Sequence, residues 1–128
     1  MPVGKKAVAV VDDDEAVLDA TSSFLEALGY DARAFNSGEA FLASMAGSDV
    51  SCLLTDVNMP GISGIELQDR VRQQRPALPV IMMTALTDDA LRRRALAGGA
   101  RDLLRKPLVA DELIRCLEET IGARGSAA

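Results

Sequence analysis

The sequence AVAVVDDD at Ala7–Asp14 joins an apolar run directly to three consecutive aspartates. Two later segments show the same arrangement, since CLLT runs into Asp56 and PVIMM runs into Thr84. A short run that is apolar at every position, without alternation, is typical of a strand that is covered on both faces in a parallel sheet. These three segments therefore predict the central strands of an α/β domain.

Segments with helical periodicity separate these runs from one another and from two further β-rich runs. The clearest helix ends at Gly29, and its apolar stripe is formed by Val17, Thr21, Phe24, Leu25 and Leu28. The predicted strands are Lys6–Val11, Ala32–Phe35, Cys52–Thr55, Val80–Met83 and Asp102–Arg105. The predicted helices are Asp14–Leu28, Ser37–Met45, Ser63 to about Gln74, Thr87 to the pair Gly98-Gly99, and about Asp111 to Ile121. Five β-then-α units predict a doubly wound α/β fold, (βα)5, with a five-stranded parallel sheet.

Composition predicts one soluble globular domain. The chain has 128 residues, of which 48% are hydrophobic and 26% charged, and no apolar run approaches the roughly 20 residues of a membrane helix. The N-terminus also lacks the pattern of a secretory signal, so a cytoplasmic location is expected. Residues 1–69 carry 3 basic and 12 acidic side chains, whereas residues 70–128 carry 11 basic and 7 acidic ones. The net charge of −5 argues against nucleic-acid binding by this chain alone.

The chain contains no histidine, which excludes Ser-His and Cys-His catalysis and imidazole metal ligands. Its two cysteines, Cys52 and Cys116, are far apart and have no zinc-binding spacing. We interpret both as small buried hydrophobic residues, and Met82 and Met83 as core residues.

Polar side chains follow four of the predicted strands at the point where each strand ends. Asp12 and Asp13 follow the first strand, Asp56 the third, Thr84 the fourth and Lys106 the fifth. Because parallel strands end at one edge of a sheet, these groups are expected to converge. Clustered carboxylates without histidine or cysteine suit Mg²⁺, and a nearby ammonium and hydroxyl suit a phosphoryl group. Asp56 is then the candidate nucleophile, forming an acyl phosphate.

The ordered set of motifs resembles the receiver domain of two-component response regulators. The matching motifs are Asp12-Asp13, the loop Asp56-x-Asn58-Met59-Pro60-Gly61 with Gly64 behind it, Thr84-Ala85 and Lys106-Pro107. The resemblance covers residues 5–122 and implies a flavodoxin/CheY-like fold, with 123–128 as a flexible tail or the start of a linker. The run SGEAFL at Ser37–Leu42 is similar to nitrogen-fixation and nitrate-type regulators that carry a helix-turn-helix output domain.

The resemblance implies a Mg²⁺ site. Asp13, one oxygen of Asp56 and the backbone carbonyl of Asn58 would bind the ion directly, and Asp12 would act through a coordinated water.

The resemblance also implies the phosphotransfer roles. Asp56 would accept a phosphoryl group from the phosphohistidine of a sensor histidine kinase, in a slow self-catalysed reaction rather than metabolic catalysis. Lys106 would pair with Asp56 and then with a phosphoryl oxygen, and Thr84 would move toward that group. The peptide bond before Pro107 would be cis. Homodimerisation on phosphorylation and transcriptional control through an output domain are further expectations.

Two positions depart from the family pattern. Leu103 stands where Phe or Tyr is usual, and Leu108 stands where Phe usually follows the Lys-Pro pair. Neither side chain is expected to touch the reacting atoms, so both departures bear on signal transmission rather than on phosphoryl chemistry.

Several alternatives remain at this stage. A Mg²⁺-dependent phosphatase of the haloacid-dehalogenase type also uses an aspartate and a lysine, but it needs a second acid/base aspartate where this chain has Asn58. A flavodoxin-like binder would need a phosphate loop after the first strand. The run Asp12–Glu15 also suits the first turn of a helix without any ion. Arg92–Arg94 form either a solvated helix face or, together with Arg101 and Arg105, the surface that phosphorylation switches.

Overall fold

A computed structural model describes residues 6–45, 49–85 and 88–122, which form one parallel sheet with helices on both faces. The strands are β1 (Ala7–Val11), β2 (Asp31–Phe35), β3 (Cys52–Asp56), β4 (Val80–Thr84) and β5 (Asp102–Arg105). The helices are α1 (Glu15–Ala27), α2 (Gly38–Met45), α3 (Gly64–Gln74), α4 (Asp89–Ala97) and α5 (Ala110–Ile121). The predicted fold class is confirmed, and each predicted strand lies within one residue of its observed bounds.

The strand order is β2-β1-β3-β4-β5, with all neighbours parallel. The three apolar runs are the central strands β1, β3 and β4, and every residue of each is buried. The edge strands β2 and β5 are only partly covered. The sequence pattern therefore reported correctly which strands are covered on both faces.

Two apolar clusters lie on opposite faces of the sheet. Because side chains alternate along a strand, Ala9 and Val11 of β1 pack toward α2, α3 and α4, whereas Val8 and Val10 pack toward α1 and α5. The predicted core residues Cys52, Cys116, Met82 and Met83 are buried in these clusters. Burial raises the pKa of both thiols, because it disfavours the thiolate.

Side-chain caps fix where α1, α3 and α4 begin. Asp14 caps α1 by accepting from the Val17 N–H, and Ser63 caps α3 by accepting from the Glu66 N–H. Asp88 caps α4, so this helix begins at Asp89 rather than at the predicted Thr87, which lies outside the described residues.

The buried stripe of α1 differs from the prediction. It is formed by Leu18, Thr21 and Leu25, whereas Val17 and Phe24 lie at its margin. The predicted tail at 123–128 lies outside the described residues. Within the described ranges, no helix is both long enough and apolar enough to cross a membrane.

Candidate functional site

The polar side chains singled out in the sequence meet at the carboxyl edge of the sheet. Asp12 follows β1, Asp56 ends β3, Thr84 ends β4 and Lys106 follows β5. The strand order places β1 beside β3, the point where the direction of winding reverses. Open α/β sheets place their ligand sites at such a point, outside the carboxyl ends of the strands.

Three carboxylates form one cluster at this edge. One oxygen from each of Asp12, Asp13 and Asp56 lies within 4.8 Å of the other two. Asp12 and Asp56 are buried, whereas Asp13 is exposed at the mouth of the site. The Asp14 N–H donates to Asp12 Oδ1 over 3.0 Å, which fixes the orientation of that carboxylate. A hard, all-oxygen donor set of this size fits Mg²⁺.

Lys106 lies between the two buried carboxylates. Its Nζ is 2.7 Å from Asp12 Oδ2 and 3.4 Å from Asp56 Oδ1. The resemblance implied pairing with Asp56, but the shorter contact is to Asp12, of which only 1% is exposed. A carboxylate buried so completely needs a cation beside it, since an unpaired buried charge is costly. The Lys106-Pro107 peptide is cis, as the resemblance implied.

The charges at the site are only partly balanced. Burial raises the pKa of Asp56, and the negative charge of Asp12 adds to that shift. The Lys106 ammonium and the Asn58 N–H, which donates to Asp56, act in the opposite direction without reversing it. Burial alone would lower the pKa of Lys106, but its hydrogen bond to Asp12 and the two carboxylate charges raise it. The site therefore favours a charged lysine and disfavours the ionised form of Asp56.

The loop between β3 and α3 is closed tightly behind Asp56. The Gly64 N–H donates to the Val57 carbonyl over 2.9 Å, and the Val57 N–H donates to the Met83 carbonyl over 3.0 Å. A Cβ at Gly64 would lie 2.4 Å from the Asp56 carbonyl oxygen. Only glycine allows α3 to begin this close to the strand end, which explains the Gly64 of the motif.

Thr84 and Lys106 are linked through the backbone. The Lys106 N–H donates to the Thr84 carbonyl over 2.8 Å, and Thr84 is 2% exposed. The neighbouring Thr55 hydroxyl donates to the Asp56 carbonyl over 3.0 Å, a contact that sequence reasoning missed. The sequence offered one signal for this contact, because Thr55 is the only hydroxyl-bearing residue in the otherwise apolar run CLLT.

Both leucines that depart from the family pattern lie near this edge. Leu103 is half-buried and packs against the cluster formed by α2, α3 and α4. Leu108 lines a largely apolar groove of about 570 Å³ between α1 and the residues after β5, together with Phe24 and Pro107. Lys106 also lines this groove, and its ammonium contacts the carboxylates of Asp12 and Asp56.

The basic residues of α4 differ in their contacts. Arg92 lies 3.5 Å from Asp102 as an ion pair, and its Nη1 donates to the Leu103 carbonyl over 3.3 Å. Arg93 and Arg94 are exposed, as are Arg101 and Arg105. The structure thus ties one arginine of the predicted basic surface to β5.

The chain resembles known proteins over most of its length. A family model for the response regulator receiver domain matches residues 8–118. Over 114 residues the chain is 36% identical to the transcriptional regulatory protein FixJ of Bradyrhizobium diazoefficiens, covering 89% of this chain and 56% of that protein. It is 37% identical to the DNA-binding transcriptional regulator NtrC of Salmonella typhimurium, covering 89% of this chain and 24% of that protein. The chain therefore spans about half the length of FixJ and a quarter of NtrC.

A solved structure has the same fold. The crystal structure of a response regulator receiver domain protein from Clostridium thermocellum matches with a TM-score of 0.86 at 25% identity, covering 91% of this chain and 94% of that one. The alternative of a haloacid-dehalogenase-type phosphatase is not supported by these matches. Asn58, two residues after Asp56, also lacks the acid/base group that such an enzyme needs.

Proposed function

The chain belongs to the response regulator receiver domain family, and from this membership we propose that Asp56 accepts a phosphoryl group from the phosphohistidine of a sensor histidine kinase. The chain is thus a signalling module of two-component systems, and its resemblance to the FixJ type of regulator is confirmed. The observation that supports Asp56 as the acceptor is its place among two further carboxylates and the Lys106 ammonium at the end of β3.

Four residues are proposed to hold Mg²⁺. Asp13, a carboxylate oxygen of Asp56 and the backbone carbonyl of Asn58 bind it directly, and Asp12 binds through a water. The cluster of three oxygen ligands within 4.8 Å supports this assignment. When bound, Mg²⁺ supplies positive charge that offsets the repulsion among the carboxylates and the charge of the phosphoryl oxygens.

The proposed reaction is a displacement at phosphorus. A carboxylate oxygen of Asp56 forms the new P–O bond, while the P–N bond to the kinase imidazole breaks and leaves its electron pair on nitrogen. Lys106 exchanges its contact with Asp56 for one with a phosphoryl oxygen, and the Thr84 hydroxyl donates to another. Both contacts stabilise charge that develops during transfer. Water later hydrolyses the acyl phosphate slowly, without a second protein.

The surface built from α4, β5 and α5 is proposed to respond to phosphorylation. Movement of Thr84 would leave space that Leu103 fills, and Leu103 is joined to α4 through its carbonyl and Arg92. The exposed Arg93 and Arg94 then engage an acidic surface of a second copy or of another partner. We further propose that transcription is controlled through an output domain of the kind carried by longer regulators, with this domain making no nucleic-acid contact itself.

Phosphorylation by acetyl phosphate with Mg²⁺ tests the central proposal. Intact-mass measurement is expected to show one phosphoryl group per chain, stable in acid and labile in base. Asp56→Asn should abolish the adduct, whereas Asp69→Asn, an exposed aspartate on α3, should keep it. An undiminished adduct in Asp56→Asn would show that another residue is the acceptor.

A further inference from the structure

The N-terminal turn of α2 contacts the loop that follows Asp56. Glu39 Oε2 accepts a hydrogen bond from the Ile62 N–H over 3.3 Å, although the two residues are 23 positions apart. The same carboxylate lies against Gly61, where a Cβ would be 2.5 Å from Oε2. In turn, a Cβ at Gly38 would be 2.7 Å from Ile62 Cγ1. We call the contact of these four residues the α2–loop contact.

Two glycines make this contact possible, one on each side. Gly61 has a φ of +76°, which L side chains rarely adopt, and its lack of a side chain admits the Glu39 carboxylate. Gly38 leaves the space that the Ile62 side chain occupies. Ser37 sets the start of α2, because its hydroxyl accepts from the Ala40 N–H over 3.1 Å. Ser37, Gly38 and Glu39 therefore place the start of α2 against the far end of the loop.

The other end of the loop is fixed at Asp56 itself. The Gly64 N–H donates to the Val57 carbonyl over 2.9 Å, and the Val57 N–H donates to the Met83 carbonyl over 3.0 Å. Between Asn58 and Gly61 lie only two residues, and one of them is Pro60, whose ring fixes φ. Restraining Gly61 and Ile62 therefore restrains the backbone at Asn58.

We propose that Glu39 is a positioning residue for the backbone of Asn58, holding the loop in the conformation that the proposed Mg²⁺ site requires of the Asn58 carbonyl. This inference rests on the proposed function, since it takes Asn58 to be a Mg²⁺ ligand. Groups that orient metal ligands without touching the metal change metal affinity by about 10-fold to 100-fold when removed. Because Glu39 is exposed, we expect the lower end of that range.

Three variants of Glu39 separate the hydrogen bond from other effects. Glu39→Ala removes the acceptor, Glu39→Gln keeps an oxygen at the same reach, and Glu39→Asp keeps the charge but is one methylene too short for Ile62. Glu118→Ala is the matched control, because it removes one exposed helical carboxylate from α5, on the opposite face of the sheet. All four variants are compared with the wild type by thermal unfolding to establish that they fold.

The first readout is amide hydrogen exchange in the metal-free protein, followed by NMR. Glu39→Ala and Glu39→Asp are expected to exchange faster at Asn58 and Ile62, whereas Glu39→Gln and Glu118→Ala stay close to the wild type. The second readout is the Mg²⁺ dissociation constant from NMR titration, which should rise about tenfold in Glu39→Ala and Glu39→Asp. The rate of phosphorylation by acetyl phosphate should fall at low Mg²⁺ and recover at saturating Mg²⁺.

Unchanged exchange at Asn58 and unchanged Mg²⁺ affinity in folded Glu39→Ala would overturn the inference. The inference would also be overturned if Glu39→Gln weakened Mg²⁺ binding and Glu39→Asp did not. The charge of residue 39, rather than its hydrogen bond to Ile62, would then determine the affinity. A wild-type protein that acquires no phosphoryl group would refute the proposed function instead, and the exchange and Mg²⁺ titrations would still decide the role of Glu39.

Discussion

Asp56→Asn should stabilise the metal-free protein at neutral pH, although it removes one side of an ion pair. At an effective dielectric constant of 20, the 3.4 Å separation from Lys106 contributes about 5 kcal/mol of attraction to the Asp56 charge. The Asp12 charge, at 4.8 Å or less, contributes at least about 3.5 kcal/mol of repulsion on the same scale. The remaining attraction is smaller than the several kcal/mol that burying a carboxylate costs. The pKa of Asp56 is raised for the same reasons, because burial and the Asp12 charge together outweigh the attraction of Lys106.

The expected gain in unfolding free energy for Asp56→Asn is about 1–2 kcal/mol. For a domain of this size that corresponds to about 4–8 °C in Tm. Lys106 keeps its 2.7 Å contact with Asp12 in the variant, so neither of these two charges loses its partner.

The pH dependence of the stability gain in Asp56→Asn tests whether the ionised Asp56 carboxylate is its cause. A carboxyl group with a raised pKa binds more protons in the folded state than in the unfolded state, so its ionisation destabilises the fold as pH rises. The difference in unfolding free energy between Asp56→Asn and the wild type should be absent below the ordinary aspartate pKa of about 3.9. It should grow above that pH and become constant once Asp56 of the folded protein is fully ionised. Thermal unfolding in EDTA at several pH values measures this, with Asp69→Asn as the charge-matched control. A variant less stable than the wild type at neutral pH, or a difference independent of pH, would refute the reasoning.

Three further outcomes follow from the same site. Mg²⁺ at 100 times its dissociation constant should stabilise the wild type by about 2.7 kcal/mol in thermal unfolding, and Asp13→Asn should lose most of that gain. Lys106→Met should lower the unfolding free energy of the metal-free protein at neutral pH by about 3 kcal/mol, because Asp12 and Asp56 are left without their cation. Added Mg²⁺ or a lower pH should make this destabilisation smaller. Gly64→Ala should lower the unfolding free energy by about 2 kcal/mol in denaturant titration, despite the higher helix propensity of alanine, because the new methyl group meets the Asp56 carbonyl.

The sequence predicted the fold and the residues that converge, because both depend on local patterns. Continuous apolar runs identify strands that are covered on both faces, and parallel strands must end at the same edge. The position of Asp56 beside Asp12 follows from those two facts and from the strand order alone. Helix starts were predictable to within one or two residues, since Asp14 and Ser63 cap their helices through contacts only three residues long.

Contacts between distant elements were not predictable from these patterns. Glu39 looks like an ordinary acidic residue in the first turn of a helix, and only the packing of α2 on the loop brings it to Ile62. The preference of Lys106 for Asp12 depends on how deeply each carboxylate is buried, which spacing does not report. The sequence placed Val17 rather than Leu18 in the buried stripe of α1 for a similar reason. Helical periodicity allowed either residue at the centre of the stripe, but Leu18 faces the sheet and Val17 lies beside the groove.

Under the proposed function, the imbalance of charge at the site would let phosphorylation affect a distant surface. A ligand shifts a conformational equilibrium only by the difference in its affinity for the two states. Three carboxylates face one ammonium here, so added cationic charge and a new partner for Lys106 change the free energy of the site by several kcal/mol. The Lys106 backbone is bonded to Thr84, and β5 is joined to α4 through Arg92, so that change acts on the ends of β4 and β5 first. The free energy for the proposed switch would therefore come from the unfavourable arrangement of the aspartates, which lowers the stability of the metal-free fold.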